Sequence, residues 1–253
     1  MSKRYRFMKS ALLPFSMLVI LEFVTRTALA GSETWVPPTH ALAALGRMLG
    51  QFDFWQKTGF TLSSAAIGLS LAMVSGVVFG ILIGLSARAA QISFLSIEVL
   101  RPLPSIALAP LALIVFGFGM SMEVSIVAFA CFWPILVLTQ SAVQQVEPRL
   151  IEVSDVLGFN TWERSSKIIF PAIVPRLFVA LRLGVAVALV VAVTVEIAIN
   201  PNGMGYGLIT AQQSLDPASM MAWLVWIGAV GFAINWLAMM VQRRVDYNVG
   251  AAS

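Results

Sequence analysis

Long uncharged stretches constrain this chain more than any other feature. Residues 102–122, 124–146 and 217–242 contain no Asp, Glu, Lys or Arg. About 20 apolar residues are enough to cross the hydrocarbon core of a bilayer as a helix. Of the 253 residues, 59% are hydrophobic and 11% charged, whereas a soluble domain carries about 25% charged residues. The sequence therefore predicts an all-α integral membrane protein.

Six membrane spans are predicted within one domain, residues 1–253, with a core at about 58–245. The first span has an alternative, because its basic start and Ala28-Leu29-Ala30 before Gly31 also resemble a cleaved signal peptide. Glu22 and Arg26 favour a retained span, since they can pair at i,i+4. The predicted spans cover about residues 10–30, 60–86, 100–118, 123–142, 173–195 and 218–242.

The basic residues predict how the spans are oriented. With both termini in the cytoplasm, thirteen of the 16 Lys and Arg residues fall on the inner flanks, Arg182 included, and three fall outside. Cytoplasmic flanks of membrane proteins are enriched in Lys and Arg. This orientation also places the polar loop 147–175 in the cytoplasm. The three outer residues are Arg26, Arg47 and Lys57.

The polar loop predicts two short helices. Pro148 suits a first helical position, and Gly158 suits the left-handed position after a helix. Asn160 and Glu163 have the spacing of a capping box for the second helix, which is expected to end near Pro171. The first helix has apolar residues at helical spacing, namely Leu150, Val153 and Leu157.

The same loop resembles the EAA loop of permease subunits of binding-protein-dependent ABC importers. The family pattern is Glu-Ala-Ala, three residues, Gly, nine residues, Ile, one residue and Leu-Pro. Here Val153 and Ser154 replace the alanines and Phe170 replaces the leucine. The positions that keep the pattern are Glu152, Gly158, Ile168 and Pro171.

The resemblance implies a type I importer architecture and a cytoplasmic coupling helix that docks on a separate ATPase. It further implies two permease copies (a homodimer unless a second permease exists), two ATPase subunits that bind ATP and Mg, and an external solute-binding protein. The alternative to a coupling helix is an ordinary amphipathic cytoplasmic loop. The residues to which the resemblance assigns coupling are Glu152, Ser154, Leu157, Gly158, Ile168 and Pro171.

Candidate pathway residues lie at the ends of two spans. Pro104 and Pro110 could kink the third span. Kinked helices often line a transport pathway, although a kink that serves only packing is at least as common. Glu196, followed by Gly203, Gly205 and Gly207, resembles the nitrate, sulfonate, taurine and bicarbonate branch of the family. A gate role is the hypothesis for Glu196; an interfacial position is the ordinary alternative.

Small residues recur every four positions through the second span, which predicts close approach of another helix backbone. That helix could belong to the same subunit or to a second copy. The stripe consists of Ser64, Gly68, Ala72, Gly76, Gly80 and Gly84.

The sequence lacks the motifs of several classes of function. The chain contains no P-loop and no hydrolase motif, so we expect no enzyme and no cofactor of its own. His40 and Cys131 are the single His and Cys, so a metal site is not expected, and the basic pI of about 9.6 reflects cytoplasmic flanks rather than nucleic-acid binding. A secondary transporter or channel acting alone remains the alternative, although the spans are predicted to lack the buried acids expected of a proton-coupled carrier.

Overall fold

The structure is a computed structural model that describes residues 16, 17, 19–27 and 35–250, with side chains as far as Arg244. Every regular element in this part of the chain is helical. The helices are α1 Pro38–Met48, α2 Phe52–Gly84, α3 Ala87–Leu100, α4 Ala109–Phe116, α5 Met120–Gln144, α6 Pro148–Val156, α7 Thr161–Arg164, α8 Phe170–Ala198, α9 Gly203–Gln213 and α10 Pro217–Gly250. A 3-10 turn, Ser105–Leu108, precedes α4, and a π-helical turn, Ser165–Ile169, joins α7 to α8.

Four helices of the described chain, α2, α5, α8 and α10, are long and apolar enough to cross a membrane. A fifth crossing is broken, because α3 and the segment from Ser105 to Phe116 meet at 82°. Pro102 and Pro104 lie at this break, where their missing N–H groups interrupt a helix. The all-α membrane fold is thus confirmed. Of the predicted first span, residues 19–27 are helical and pair Glu22 with Arg26 at 2.5 Å; most of its other residues lie outside the described part.

The glycine stripe of α2 lies against α5 of the same subunit. A Cβ added to Gly68 would meet Val127 at 2.7 Å, and one added to Gly80 would meet the Cβ of Thr139 at 2.6 Å. The partners keep one offset along both helices (127 − 68 and 139 − 80 are both 59), so α2 and α5 run in the same direction. Parallel spans require the chain between them to recross the membrane. The broken pair α3–α4 therefore has to count as one crossing.

Helix α8 contacts both α2 and α5 and completes the centre of the bundle. Its small residues Ala188 and Ala192 are buried in the same cluster as Ala72 and Cys131. Because α8 begins at Phe170, Arg182 lies about 18 Å along it, at about 1.5 Å per residue. Arg182, which was counted on the inner flank, therefore lies within a helix and not in the loop.

The expected helix end near Pro171 was also wrong. The chain remains helical from Thr161 to Ala198, passing through the π-helical turn, in which the N–H of Phe170 donates to the carbonyl of Ser165. Pro171 follows directly, in the first turn of α8. The π-helical turn is wider than an α-helical turn and accommodates Pro171, whose missing N–H would interrupt a regular series of α-helical hydrogen bonds.

Candidate functional site

Helix α6 exposes one apolar face in the polar loop between α5 and α8. Val156 is 88% exposed and Leu157 58% exposed. Burying such side chains would be favourable by about 1.5–3 kcal/mol each, so an unpartnered face of this kind is suited to binding another surface. We call it the coupling face; it consists of Leu150, Val153, Val156 and Leu157.

The opposite side of α6 is fixed to the bundle. Ser154 is 0% exposed, and its hydroxyl donates to the carbonyl of Ile151 at 2.5 Å. Ile151 packs against a core cluster that includes Ile169 and Ile173. A small side chain at position 154 lets α6 approach the start of α8 closely. The sequence resemblance places a small residue at this position.

Gly158 ends α6 in the left-handed conformation, with φ of +70°. Its N–H donates to the carbonyl of Asp155 at 3.1 Å, and the N–H of Phe159 donates to the carbonyl of Ser154 at 3.0 Å. This pair of bonds is the Schellman motif. A glycine is required here by backbone conformation and not by space, because a Cβ at Gly158 would meet nothing within 4 Å.

Ion pairs join the loop across this turn. Asp155 of α6 pairs with Arg164 of α7, and Glu163 pairs with Lys167 at 3.1 Å. The predicted capping box is present, since Asn160 Oδ1 accepts from the N–H of Glu163 at 2.9 Å and Glu163 Oε2 accepts from the N–H of Asn160 at 3.2 Å. Each exposed pair contributes at most about 1 kcal/mol, and their role here is to set the angle between α6 and α7.

The remaining residues assigned to coupling divide between the surface and the interior. Glu152 is exposed on α6 and joins none of the ion pairs found among the described residues. Ile168 is half-buried in the π-helical turn, and Pro171 is exposed. The helix α7, the π turn and α8 form one helical run, so the loop that carries α6 is continuous with a spanning helix.

Glu196 lies at the other end of α8 and is 1% exposed, so its carboxyl group is buried in the protein rather than facing water or lipid. Its Oε1 accepts from Thr61 Oγ1 at 2.6 Å, and its Oε2 accepts from the N–H of Gly205 at 2.8 Å. The carboxyl group of Glu196 thus accepts a hydrogen bond from a backbone N–H in the first turn of α9. A Cβ at Gly203, where φ is +89°, would lie 1.9 Å from Glu196 Oε1, which explains the glycine at that position.

A second buried acid, Glu123, was missed by the sequence analysis. Glu123 is 0% exposed; Ser64 Oγ donates to its Oε1, and Asn200 Nδ2 donates to its Oε2 at 2.5 Å. The argument that the spans lack buried acids was therefore wrong. The Gly-rich run after Glu196 was a usable signal for that residue; Glu123 had none, since an acid in the first turn of a helix is an ordinary observation.

The two candidate prolines lie at different places in the broken crossing. Pro104 precedes the 3-10 turn and lies at the bend, and Pro110 occupies the first turn of α4. Both are exposed. A pathway role for Pro104 or Pro110 stays a prediction.

Comparisons with known proteins agree with this architecture. Residues 76–249 match the family described as "Binding-protein-dependent transport system inner membrane component". The nitrate import permease protein NrtB of Synechocystis sp. is 30% identical over 185 residues, which cover 73% of this chain and 67% of that protein. The taurine transport system permease protein TauC of Escherichia coli is 27% identical over 214 residues, or 83% of this chain and 78% of that protein.

A solved structure has the same fold. A chain of a bacterial ABC transporter involved in the import of the acidic polysaccharide alginate superposes with a TM-score of 0.70. The alignment covers 96% of this chain and 97% of that one at 15% identity. At this identity the likeness establishes the arrangement of helices alone.

Proposed function

Because this chain belongs to the family of binding-protein-dependent transport system inner membrane components, we propose that it forms the membrane path of an ATP-driven importer, with α6 as the helix on which a separate ATPase docks. The observation that carries this assignment is the coupling face, an exposed apolar surface on a loop rich in charge. The coupling face is poorly suited to burial in lipid, because Glu152 and Asp155 lie on the same short helix. A groove on a soluble partner fits better.

The geometry supports a direct mechanical link. The Schellman turn at Gly158 and the Asp155–Arg164 pair hold α6 against α7. The helical run through the π turn then connects α7 to the spanning helix α8. ATP and Mg bound in two partner ATPase subunits would move α6, and α8 would move with it. This chain is then a conduit and transducer whose energy comes from the partner.

At the outer end of the bundle, polar contacts hold several helices together as one unit. Thr61 of α2, Glu123 of α5 and Glu196 of α8 are buried in polar contacts close to the start of α9. Buried polar groups are costly unless they are hydrogen-bonded, so these contacts keep the outer ends of three spanning helices together. Movement of α8 would therefore tilt a whole group of helices. Glu196 holds the position expected of a structural part of an outer gate.

Membership of the family supports a proposal for the assembly and its location. We infer two copies of this chain, two ATPase subunits and an external solute-binding protein, in the inner membrane of a bacterium with both termini in the cytoplasm. The positive-inside distribution supports this orientation. Curated relatives named for nitrate, bicarbonate and taurine transport support a small anion or sulfonate as the solute.

A transporter acting alone is the alternative, and the buried acids are the observation that favours it. It leaves the coupling face unexplained, since such a protein needs no docking surface for an ATPase. The test is to co-express the tagged chain with P-loop ATPases and solute-binding proteins from the same genome. We expect the ATPase to co-purify, and membrane vesicles to accumulate nitrate or taurine only with ATP. Uptake that proceeds without the ATPase would contradict the proposal.

A further inference from the structure

Arg182 lies within the spanning helix α8. It is half-buried and is about 18 Å from Phe170 and about 21 Å from Glu196 along the helix. A cation inside the hydrocarbon core costs up to about 2.5–3.5 kcal/mol on insertion scales. Such residues face the interior of a bundle or a water-filled cavity, and they mark the paths of substrates and ions.

The guanidinium of Arg182 has little compensation from the protein. Its Nε donates to Asn235 Oδ1 on α10 at 3.4 Å, and none of the ion pairs in the described part of the chain includes it. Arg26 and Arg164, by contrast, each contact a carboxylate. The four terminal N–H donors of Arg182 have no hydrogen-bond partner among the described residues.

These donors line a cavity of about 410 Å³ between α5, α8 and α10. Its polar lining consists of Arg182, Asn235 and Gln242, and the Oε1 of Gln242 is itself buried without a partner. A second cavity of about 330 Å³ shares Ala186 and Asn235 with it and continues along α8 and α10 between apolar walls. A groove with apolar walls and a few convergent polar groups is the usual form of a small-molecule site.

We propose that Arg182 and Asn235 form an anion-binding station of the transport path, which takes one oxyanion group of the sulfonate, nitrate or bicarbonate class. This inference rests on the proposed function and adds the residues that recognise the solute within the membrane. The planar guanidinium presents paired donors that match an oxyanion. Asn235 uses its carbonyl oxygen on Arg182, which leaves its N–H donors for the anion.

An anionic lipid headgroup offers the same chemistry from another source. The two sources share their recognition chemistry, and the protection experiment below distinguishes a passing solute from a bound headgroup. Binding has to be weak enough for release, and the single protein contact of Arg182 to a neutral amide is compatible with rapid exchange.

The first test compares variants in the complete transporter, reconstituted in phosphatidylcholine vesicles with nitrate and taurine as probes. We expect Arg182→Gln to lower uptake about 10- to 100-fold, because it removes charged hydrogen bonds to the anion, and Arg182→Lys to lower it less. The control is Arg176→Gln, since Arg176 is exposed on the same helix and donates to the backbone carbonyl of Ala142. ATPase co-purification serves as the check on folding, and Arg182→Gln uptake equal to that of the parent overturns the inference.

The second test does not depend on transport. Phenylglyoxal modifies arginine, and peptide mass analysis of the same complex reports each site separately. We expect nitrate, bicarbonate, taurine or ethanesulfonate to slow modification of Arg182 but not of Arg176. Lack of protection by all four overturns the inference, and so does protection by phosphatidylglycerol alone, which would identify a lipid site. Failure of the proposed function is distinguishable, because it removes ATPase association whatever the state of Arg182.

Discussion

Replacing Gly76 and Gly80 together by leucine is expected to prevent α2 and α5 from packing. A Cβ at Gly76 would lie 2.8 Å from Ile135, and one at Gly80 would lie 2.9 Å from the carbonyl of Leu136. The backbone of α5 cannot move away without separating the helices. Overpacking costs about 1–3 kcal/mol per site, so we expect the unfolding midpoint of the purified protein to fall by roughly 5–20 °C.

The control for this variant is Gly59→Leu in the same helix, because a Cβ at Gly59 meets nothing within 4 Å. Gly228→Leu in α10 is a second control with equally open space. Both should accumulate in the membrane and melt like the parent. If the double variant also melts like the parent, the parallel α2–α5 contact is wrong and the stripe faces lipid or a second copy.

Replacing Gly158 by valine should abolish uptake while the protein stays in the membrane. The φ of +70° at this position costs a β-branched residue on the order of 1–2 kcal/mol or more, and the Schellman bonds would be lost. The angle between α6 and α7 would then change, although no side chain in the bundle is touched. Pull-down of the ATPase and solute accumulation are the two measurements.

Gly158→Asn is the matched control, because asparagine tolerates the left-handed conformation, and we expect it to retain most of the uptake. Glu152→Lys tests the surface itself, since it reverses a charge beside the coupling face and leaves the turn intact. We expect it to weaken ATPase association as well. Gly158→Val and Glu152→Lys variants that both bind the ATPase and transport normally would remove α6 from the mechanism.

The local features of the polar loop could be predicted from the sequence because their causes are local. Pro148, Gly158 and the Asn160–Glu163 capping box each act within a few residues, and the structure has all of them. The continuation through Pro171 could not be predicted in this way. It depends on a π-helical turn, which has no clear residue signature.

Features that depend on contacts between distant segments were harder to predict. The stripe from Ser64 to Gly84 predicted close packing but did not identify α5 as the partner. The burial of Glu196 could not be predicted from hydropathy, which places a charge at a span's end near water, whereas α9 folds back and covers this side chain. Arg182 was counted with the flanking charges, whereas it lies within α8 and contacts Asn235 of α10.

The most direct test of the central claim is cross-linking from the coupling face. Cys131 is the only cysteine of the chain and is buried, so Leu157→Cys introduces a single accessible thiol. A thiol-reactive photocross-linker at this position is expected to capture the ATPase subunit, with a yield that changes when ATP is added. The same reagent at Ser214→Cys, on an exposed turn at the opposite end of the bundle, should capture none. Capture from Ser214→Cys but not from Leu157→Cys, or an equal yield from both, would contradict ATPase docking on α6.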